Sequence, residues 1–328
     1  MDFQPTEDQR ALRTGIRELL DGRLDRRRLL ALADGKPFAP ELWRELADVG
    51  VFSLRLPDEA GGAGLGMAEA ALVFEELGRS LMPGPLAATF LASGVLPRAG
   101  TGDLVAGVVE LPAAHTLVQH ADALDVLFVL DETGVRRLDV KALEPGALAP
   151  VAEPLDPLTP LHRATGLPAG EDIGGPETAR RWRREGAVLT AALQAGIALS
   201  TTELAVAYAK EREQFGRPIG SFQAVKHLCA DMFARAELAR VAVYAAAVTL
   251  DDPDVPPGDR EPPVATAKVM ADRAALDNAR SCVQVHGGMG FTWEAGVHLF
   301  LKRASVLAAS FGTAAVHEEA LAAALTLD

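Results

Sequence analysis

The chain has 328 residues, 49% of them hydrophobic, and its 32 Lys and Arg against 45 Asp and Glu give a formal net charge of −13. This composition excludes a disordered chain and predicts two or three packed units. An acidic surface repels phosphate backbones and anionic lipid, so neither nucleic acid nor a membrane surface is an expected partner. The two cysteines, Cys229 and Cys282, are far apart and have no other ligand at metal-binding spacing. We therefore expect no disulfide framework and no metal site.

The first ten residues are polar and acidic, whereas a secretory signal begins with basic residues and continues into an apolar run. Export is not expected, and a cytoplasmic location is predicted. The longest uncharged stretch, Gly186–Thr202, carries several polar side chains and is shorter than the roughly 20 apolar residues that a membrane span needs. This stretch predicts a buried helix.

Residues 1–97 predict an N-terminal helical domain. Thr6 can cap a first helix, Pro40–Leu46 begins another with proline in its first turn, and Met67–Leu81 predicts a third. The only β signal in this region is a weak one at Phe52–Leu56. The glycine-rich segment Gly61–Gly66 lacks the third glycine and the strand-turn-helix setting of a dinucleotide loop, so it predicts an ordinary connector.

Residues 98–176 predict a small middle β domain. Apolar runs at Leu104–Leu111, Val126–Leu130 and Val135–Val140 are separated by turn residues. Asp131–Gly134, with the sequence Asp-Glu-Thr-Gly, predicts a hairpin turn. The proline-rich tract Pro150–Pro168 predicts edge strands at most, because proline cannot donate a ladder hydrogen bond.

Residues 177–328 predict a bundle of long helices. One helix has an apolar seam with steps of three and four residues, which is typical of core packing. The seam consists of Phe222, Val225, Cys229, Met232, Ala236, Ala239, Val243, Ala246 and Leu250. Residues 251–263 are rich in proline and acid and predict a solvated connection between helices.

Two segments of the bundle indicate contact with a ligand. In the first, a helix ends before Arg212 and a short proline-containing turn follows; in the second, Gly287 and Gly288 stand at a helix end, where an anionic ligand can approach the backbone. His286 and His298 are close to this pair, but their positions alone do not indicate catalysis. Hydrolase, nucleotide-triphosphatase and metalloprotease motifs are absent from the sequence.

These segments together resemble the acyl-CoA dehydrogenase family, FAD-dependent enzymes that desaturate acyl-CoA thioesters between the α- and β-carbons. The resemblance rests chiefly on Arg212–Ile219, Phe222-Gln223, Ala230–Met232 and Gln284–Thr292. Family-like residues also occur at Asp2-Phe3, Thr6, Gln9-Arg10, Leu42–Leu46, Gly61-Gly62, Gly64 and Glu75–Gly78. The family's fold has an N-terminal helical domain, a middle β-barrel or sandwich, which is shortened here, and a C-terminal four-helix bundle. This arrangement agrees with the periodicity.

The resemblance implies FAD that is shared across a subunit interface. It places six residues on the surface that reaches the ADP half of a neighbour's FAD: Arg212, Gln214, Phe215, Gln284, Gly287 and Gly288. An arginine can pair with pyrophosphate, and glycines carry no side chain that would block it.

Other site features of the family are missing. Gly100–Pro176 lacks the stretch resembling Thr-Glu-Pro-Gly-Ala-Gly-Ser-Asp that holds the flavin within the same subunit. In most members a glutamate removes the α-proton while a hydride passes from the β-carbon to flavin N5, and its position corresponds to Phe311. In other members the base lies on an earlier helix, at a position that corresponds to Gly186. Glu185 is adjacent, but a helical neighbour points about 100° away.

The leading interpretation is therefore a non-catalytic subunit that pairs with a catalytic acyl-CoA dehydrogenase homologue in an α2β2 assembly, as in actinobacterial steroid side-chain catabolism. The assembled enzyme would desaturate an acyl-CoA, such as a steroid side-chain thioester, and pass electrons to an electron-transfer flavoprotein or another acceptor. Two alternatives stay open. One is a self-sufficient homomeric dehydrogenase that uses Glu185 or an unrecognised base, and the other is a non-enzymatic scaffold or binding protein on the same fold.

Overall fold

The computed structural model describes residues 5–111 and 116–325, so the family-like residues Asp2 and Phe3 lie outside the described residues. The helices are α1 (Glu7–Arg23), α2 (Arg26–Asp34), α3 (Pro40–Asp48), α4 (Met67–Arg79), α5 (Leu86–Ser93), α6 (Pro97–Gly100), α7 (Pro176–Glu211), α8 (Gln223–Asp251), α9 (Glu261–His286), α10 (His298–Leu307) and α11 (Ala314–Leu325). The strands are β1 (Ala106–Glu110), β2 (Leu117–Gln119), β3 (Val126–Leu130), β4 (Val135–Asp139), β5 (Leu148–Pro150), β6 (Leu161–Ala164), β7 (Glu171–Gly174), β8 (Glu213–Gln214) and β9 (Arg217–Pro218). The mostly helical fold with a small β portion is as predicted.

The chain divides into two compact units that interleave along the sequence. The first contains the residues up to Leu30, Met67–Met82 and the residues from Ala187 onward. The second contains Ala31–Gly66 and Pro83–Gly186. The boundary at residues 186 and 187 falls within α7, so this helix contributes to both units.

The first unit is a helical bundle in which small residues let helices approach closely. A Cβ added at Gly78 of α4 would lie 2.0 Å from the carbonyl oxygen of Leu193 in α7, and one at Gly196 would lie 1.9 Å from that of Glu75. Distances this short exclude any side chain at either glycine. The two glycines therefore fix α4 against the second half of α7.

The predicted seam of α8 is confirmed. Of its nine residues, Met232, Ala236, Ala239, Val243 and Ala246 are fully or nearly fully buried. The proline-rich connection is shorter than predicted, because α9 already begins at Glu261 and takes up Pro262 and Pro263 in its first turn. Proline is tolerated there because the first-turn N–H groups have no partner within a helix.

In the second unit, the weak strand signal at Phe52–Leu56 proved wrong, since this segment forms successive turns. Its hydrophobicity reflects burial and not pairing: Phe52 is fully buried, and its ring lies 4.4 Å from that of Trp43 in α3. The glycine-rich segment that follows is a loop before α4, as predicted.

The β portion of the second unit consists of two sheets, with strand orders β1-β3-β4-β7 and β2-β6-β5. The described strands do not close into a barrel. The predicted hairpin is present, with β3 and β4 antiparallel and the Asp131 carboxylate accepting hydrogen bonds from the backbone of Thr133 and Gly134. The expectation of edge strands alone for Pro150–Pro168 was wrong, because β6 pairs on both sides. Leu161–Ala164 contains no proline, so every residue keeps its N–H.

Among the described residues, α7 alone is long and apolar enough to cross a membrane, but 78% of its apolar window is buried inside the protein. Burial of this extent is typical of a core helix of a soluble protein. The prediction of a buried helix at Gly186–Thr202 agrees with this.

Neighbouring carboxylates on α4 have opposite environments. Both oxygens of Glu76 accept hydrogen bonds from the Arg17 guanidinium, at 2.6 and 2.8 Å. The side chain of Glu75 is buried, its Oε1 has no hydrogen-bond partner among the described residues, and Arg13 Nη1 lies 3.9 Å from it. Burial away from water raises the pKa of Glu75 to about 7.

This burial predicts a pH-dependent cost. Between about pH 4.5 and 7 folded Glu75 holds a proton that the unfolded chain releases, so the contribution of Glu75 to the free energy of unfolding falls as pH rises and levels off above 7. Glu75→Gln should remove this fall, a relative gain on the order of 3 kcal/mol across the window. Thermal unfolding midpoints measured from pH 4.5 to 8 test it. Glu76→Gln is the matched control and should destabilise instead; parallel pH profiles for wild type and Glu75→Gln would contradict the prediction.

Candidate cofactor-contact surface

The first predicted segment folds as a tight hairpin after α7. Strands β8 and β9 pair through a two-residue turn, in which Phe215 and Gly216 have φ values of 55° and 74°. Two positive φ values are typical of a type I′ turn, which matches the twist of an antiparallel pair. The turn places the Phe215 ring in solvent with 92% of its surface exposed, and the ring makes an edge contact with that of Phe222 at a centroid distance of 6.0 Å.

Arg212 joins α7 to this hairpin. Its N–H donates to the Tyr208 carbonyl at 2.8 Å, and its own carbonyl accepts from the Ile219 N–H at 2.8 Å. The side chain is exposed, and its guanidinium has no hydrogen-bond or ion-pair partner within residues 5–111 and 116–325. The backbone is therefore fixed while the charged group is available to an anion.

The second predicted segment is the end of α9. Gly287 terminates the helix with φ 59° and ψ −139°, a conformation that residues with a side chain avoid. A Cβ at Gly287 or at Gly288 would meet no atom within 4 Å, so the backbone here is open to an approaching ligand. Gln284, one turn earlier, is also exposed.

All six predicted contact residues are therefore exposed on the first unit. The ends of the two helices that carry them meet over one apolar cluster. Its buried members are Ala205, Ala209, Met232, Cys282, Val283, Val285 and Val297. Above the cluster the Tyr208 ring of α7 stacks on the His286 ring of α9, with centroids 4.1 Å apart and planes 23° apart.

Sequence reasoning did not identify Tyr208 or give His286 a role. Their separation along the chain hides the contact, and an aromatic residue inside a helix usually indicates core packing. The one available signal is the position of each residue, since Tyr208 precedes Arg212 by one helical turn and His286 directly precedes Gly287.

The predicted base positions carry no available carboxylate. Phe311, in the loop between α10 and α11, is buried, has φ 53°, and its carbonyl accepts a hydrogen bond from His317 Nε2 at 2.9 Å. Gly186 is buried within α7. Glu185 is buried too, and its Oε2 lies 3.1 Å from Arg55 Nη1, so this carboxylate is held in an ion pair.

The described part of the chain contains no cluster of three or more His, Cys, Asp or Glu side chains that could hold a metal ion. An organic ligand fits the surface better. The Arg212 guanidinium and the Gln284 amide can donate to the acceptor oxygens of a nucleotide diphosphate, and Gly287 and Gly288 leave room for it. The Gln214 amide nitrogen donates to the Glu213 carbonyl at 2.7 Å and keeps a second hydrogen for such an oxygen, whereas the Gly287 N–H is bonded to the Gln284 carbonyl.

The two glycines should respond differently to a Cβ. Gly287→Ala forces alanine into a conformation that costs about 1–3 kcal/mol, so the midpoint of thermal unfolding should fall. Gly288→Ala, the matched control, needs no such conformation and has free space around it, so its midpoint should equal that of the wild type. Equal midpoints for both variants would show that the end of α9 is not constrained in this way.

Comparison with known proteins identifies the family. The acyl-CoA dehydrogenase N-terminal domain matches residues 6–105, and the acyl-CoA dehydrogenase C-terminal domain matches residues 179–326. Acyl-CoA dehydrogenase IpdE2 of Mycolicibacterium smegmatis is 35% identical over 274 residues, covering 81% of this chain and 82% of that protein. Among solved structures, the ChsE4-ChsE5 complex from Mycobacterium tuberculosis matches with TM-score 0.85 and 26% identity over 100% of both chains. The Tcur3481-Tcur3483 steroid ACAD has the same fold, with TM-score 0.84 and 24% identity over 97% of this chain and 98% of that one. The chain belongs to the acyl-CoA dehydrogenase family.

Proposed function

We propose that this chain is the subunit of a heteromeric acyl-CoA dehydrogenase that contributes one face of a shared FAD site but no catalytic base. The observation that carries the proposal is a contrast within the chain. The six residues of the ADP-contact surface are present and exposed, whereas Phe311 stands at the usual base position and Glu185 is held by Arg55.

The proposed division of labour follows from the chemistry of desaturation. Bound FAD would supply the hydride acceptor. Removal of the substrate α-proton requires a carboxylate within hydrogen-bond reach, which a phenyl ring cannot replace. The base would therefore come from the partner, a catalytic acyl-CoA dehydrogenase homologue in an α2β2 assembly. This chain would hold the ADP half of the cofactor through Arg212, Gln214, Phe215, Gln284, Gly287 and Gly288.

The comparisons support this assignment at a coarser level. Membership of the acyl-CoA dehydrogenase family supports FAD as the cofactor and an acyl-CoA as the substrate. ChsE4-ChsE5 is a complex of two named components, which supports a second subunit type. The neighbour described as a steroid ACAD favours a bulky acyl group such as a steroid side-chain thioester. Electrons would leave to an electron-transfer flavoprotein or another acceptor.

A self-sufficient homomeric dehydrogenase is the second candidate. It would need Glu185 to leave Arg55, and separation of this half-buried ion pair would leave the buried Glu185 carboxylate without its partner. A scaffold protein without a cofactor is the third candidate. An exposed guanidinium that has no partner among the described residues, and two glycines with open space around them, are unnecessary for a scaffold.

Flavin content separates the three candidates. The chain purified alone should contain little FAD, because a ligand held from one side loses the contacts of the other side. Co-expression with a homologue that carries the base glutamate should yield a complex with stoichiometric flavin absorbance near 450 nm. A yellow, active homomer would support the second candidate and contradict the proposal. The absence of flavin with and without the partner would support the third.

Phe311→Glu tests whether the base is the only missing element. We expect no acyl-CoA oxidation, because the second face of the flavin site is also absent, and a loss of roughly 1–3 kcal/mol in stability from a buried, unpaired carboxylate. Phe311→Met, which keeps the position apolar, is the control for the change in shape. Both variants are assayed alone and with a partner whose own base is mutated. Acyl-CoA oxidation by Phe311→Glu in either setting would show that the pocket was complete apart from the base.

A further inference from the structure

We propose that Tyr208 and His286 are positioning residues for the cofactor, and that their stacked rings hold Arg212 and the Gly287-Gly288 backbone in one fixed arrangement. This inference rests on the proposed function, because it takes the surface to contact FAD. Tyr208 and His286 lie outside the six predicted contact residues, so their role extends the proposed function.

Each ring lies close in sequence to a predicted contact residue at the end of its own helix. Tyr208 lies one turn before Arg212, and its carbonyl accepts the Arg212 N–H at 2.8 Å. His286 is the last residue of α9 and is followed directly by Gly287. The ring stack, with a centroid distance of 4.1 Å, therefore joins the two helix ends next to their contact groups. Removal of either ring would break this link between the two helix ends.

A hydrogen bond to the backbone of α9 orients the His286 ring. Its Nδ1 lies 2.8 Å from the carbonyl oxygen of Cys282, one turn earlier in α9. A carbonyl oxygen only accepts, so Nδ1 must carry the hydrogen, and this fixes the tautomer and the orientation of the ring. Cys282 is fully buried in the apolar cluster, so the bond ties the ring to the core of the first unit.

An open cavity lies next to the two rings. Both rings line a cavity of about 320 Å³ within the first unit, together with Leu204, Met289 and Phe300. On the cavity side no packed core restrains them. Tyr208 packs against the apolar cluster on its other side, and the mutual stack and the bond to Cys282 hold the two rings where the cavity leaves them unpacked.

The test measures FAD affinity by flavin fluorescence titration of the assembled complex. His286→Ala and Tyr208→Ala should each raise the dissociation constant for FAD about tenfold or more, the size expected when contact groups lose their supporting shell. His286→Phe keeps a stacking ring but loses the Nδ1–H bond to Cys282, so it should bind FAD more tightly than His286→Ala and less tightly than the wild type. Tyr208→Phe, the matched control, loses only the hydroxyl and should bind FAD like the wild type.

Two further measurements separate positioning from general damage. The size of the complex on gel filtration should be unchanged in all four variants, and Tyr208→Phe should keep the wild-type thermal midpoint. If His286→Ala and Tyr208→Ala dissociate the complex, and His286→Phe binds FAD no more tightly than His286→Ala, the rings are general packing residues and the inference is overturned.

Arg212→Ala distinguishes failure of this inference from failure of the proposed function. Loss of a charge-assisted contact should weaken FAD binding at least tenfold. If Arg212→Ala has no effect on FAD affinity, the surface does not contact the cofactor and the proposed function fails together with the inference. If Arg212→Ala weakens binding while both alanine variants of the ring pair bind FAD like the wild type, only the positioning role is refuted.

Discussion

The candidate cofactor-contact surface depends on the packing of α7, α8 and α9 over a single apolar cluster. Small side chains such as Ala205 and Ala209 let the helices come close enough for Cys282 and Met232 to be fully enclosed. Burial of this kind contributes about 25 cal/mol per Å² of apolar surface and has no directional preference. Direction comes from the groups at the helix ends, where a ring stack, a glycine cap and a hairpin turn each allow one geometry. Apolar packing without directional preference therefore supports a surface whose geometry is set by the groups at the helix ends.

The neighbouring glutamates of α4 show how helical geometry separates two similar residues. Adjacent positions on a helix point about 100° apart. Both side chains are buried, but Glu76 faces the Arg17 guanidinium, whereas the Oε1 of Glu75 has no hydrogen-bond partner among the described residues. One carboxylate stabilises the bundle through a bidentate pair, and the other is costly when ionised. The close contact of Glu75 with Gly196 leaves the helix no freedom to turn away from the interior.

Elements with a local signal were predictable from the sequence. The seam of α8 repeats every three to four residues, and Asp131–Gly134 has turn chemistry that any flanking pair of strands can use. Phe52–Leu56 was mispredicted because a short apolar run is equally compatible with a strand and with buried turns. The strand β6 was underestimated because the proline content of a whole tract obscured four residues without proline.

The six predicted contact residues could be named from the sequence because each lies in a contiguous motif, and their contact with the cofactor stays a prediction. The stack of Tyr208 on His286 and the ion pair of Glu185 with Arg55 were not, since each joins residues from distant parts of the chain. Periodicity and motif spacing carry no information on such contacts. They depend on which helix faces which, and this is decided by the packing of the entire unit.

The tip of the β8–β9 hairpin has a consequence for the cell. A phenyl ring with 92% of its surface in water is an exposed apolar group to which other proteins can bind, on a chain with an acidic net charge. A protein that covers Phe215 also covers this apolar group, and copies synthesised in excess would keep it exposed to other proteins and to chaperones. In the proposed α2β2 assembly, the abundance of this chain would then be set by its partner subunit, with surplus copies lost to aggregation or proteolysis.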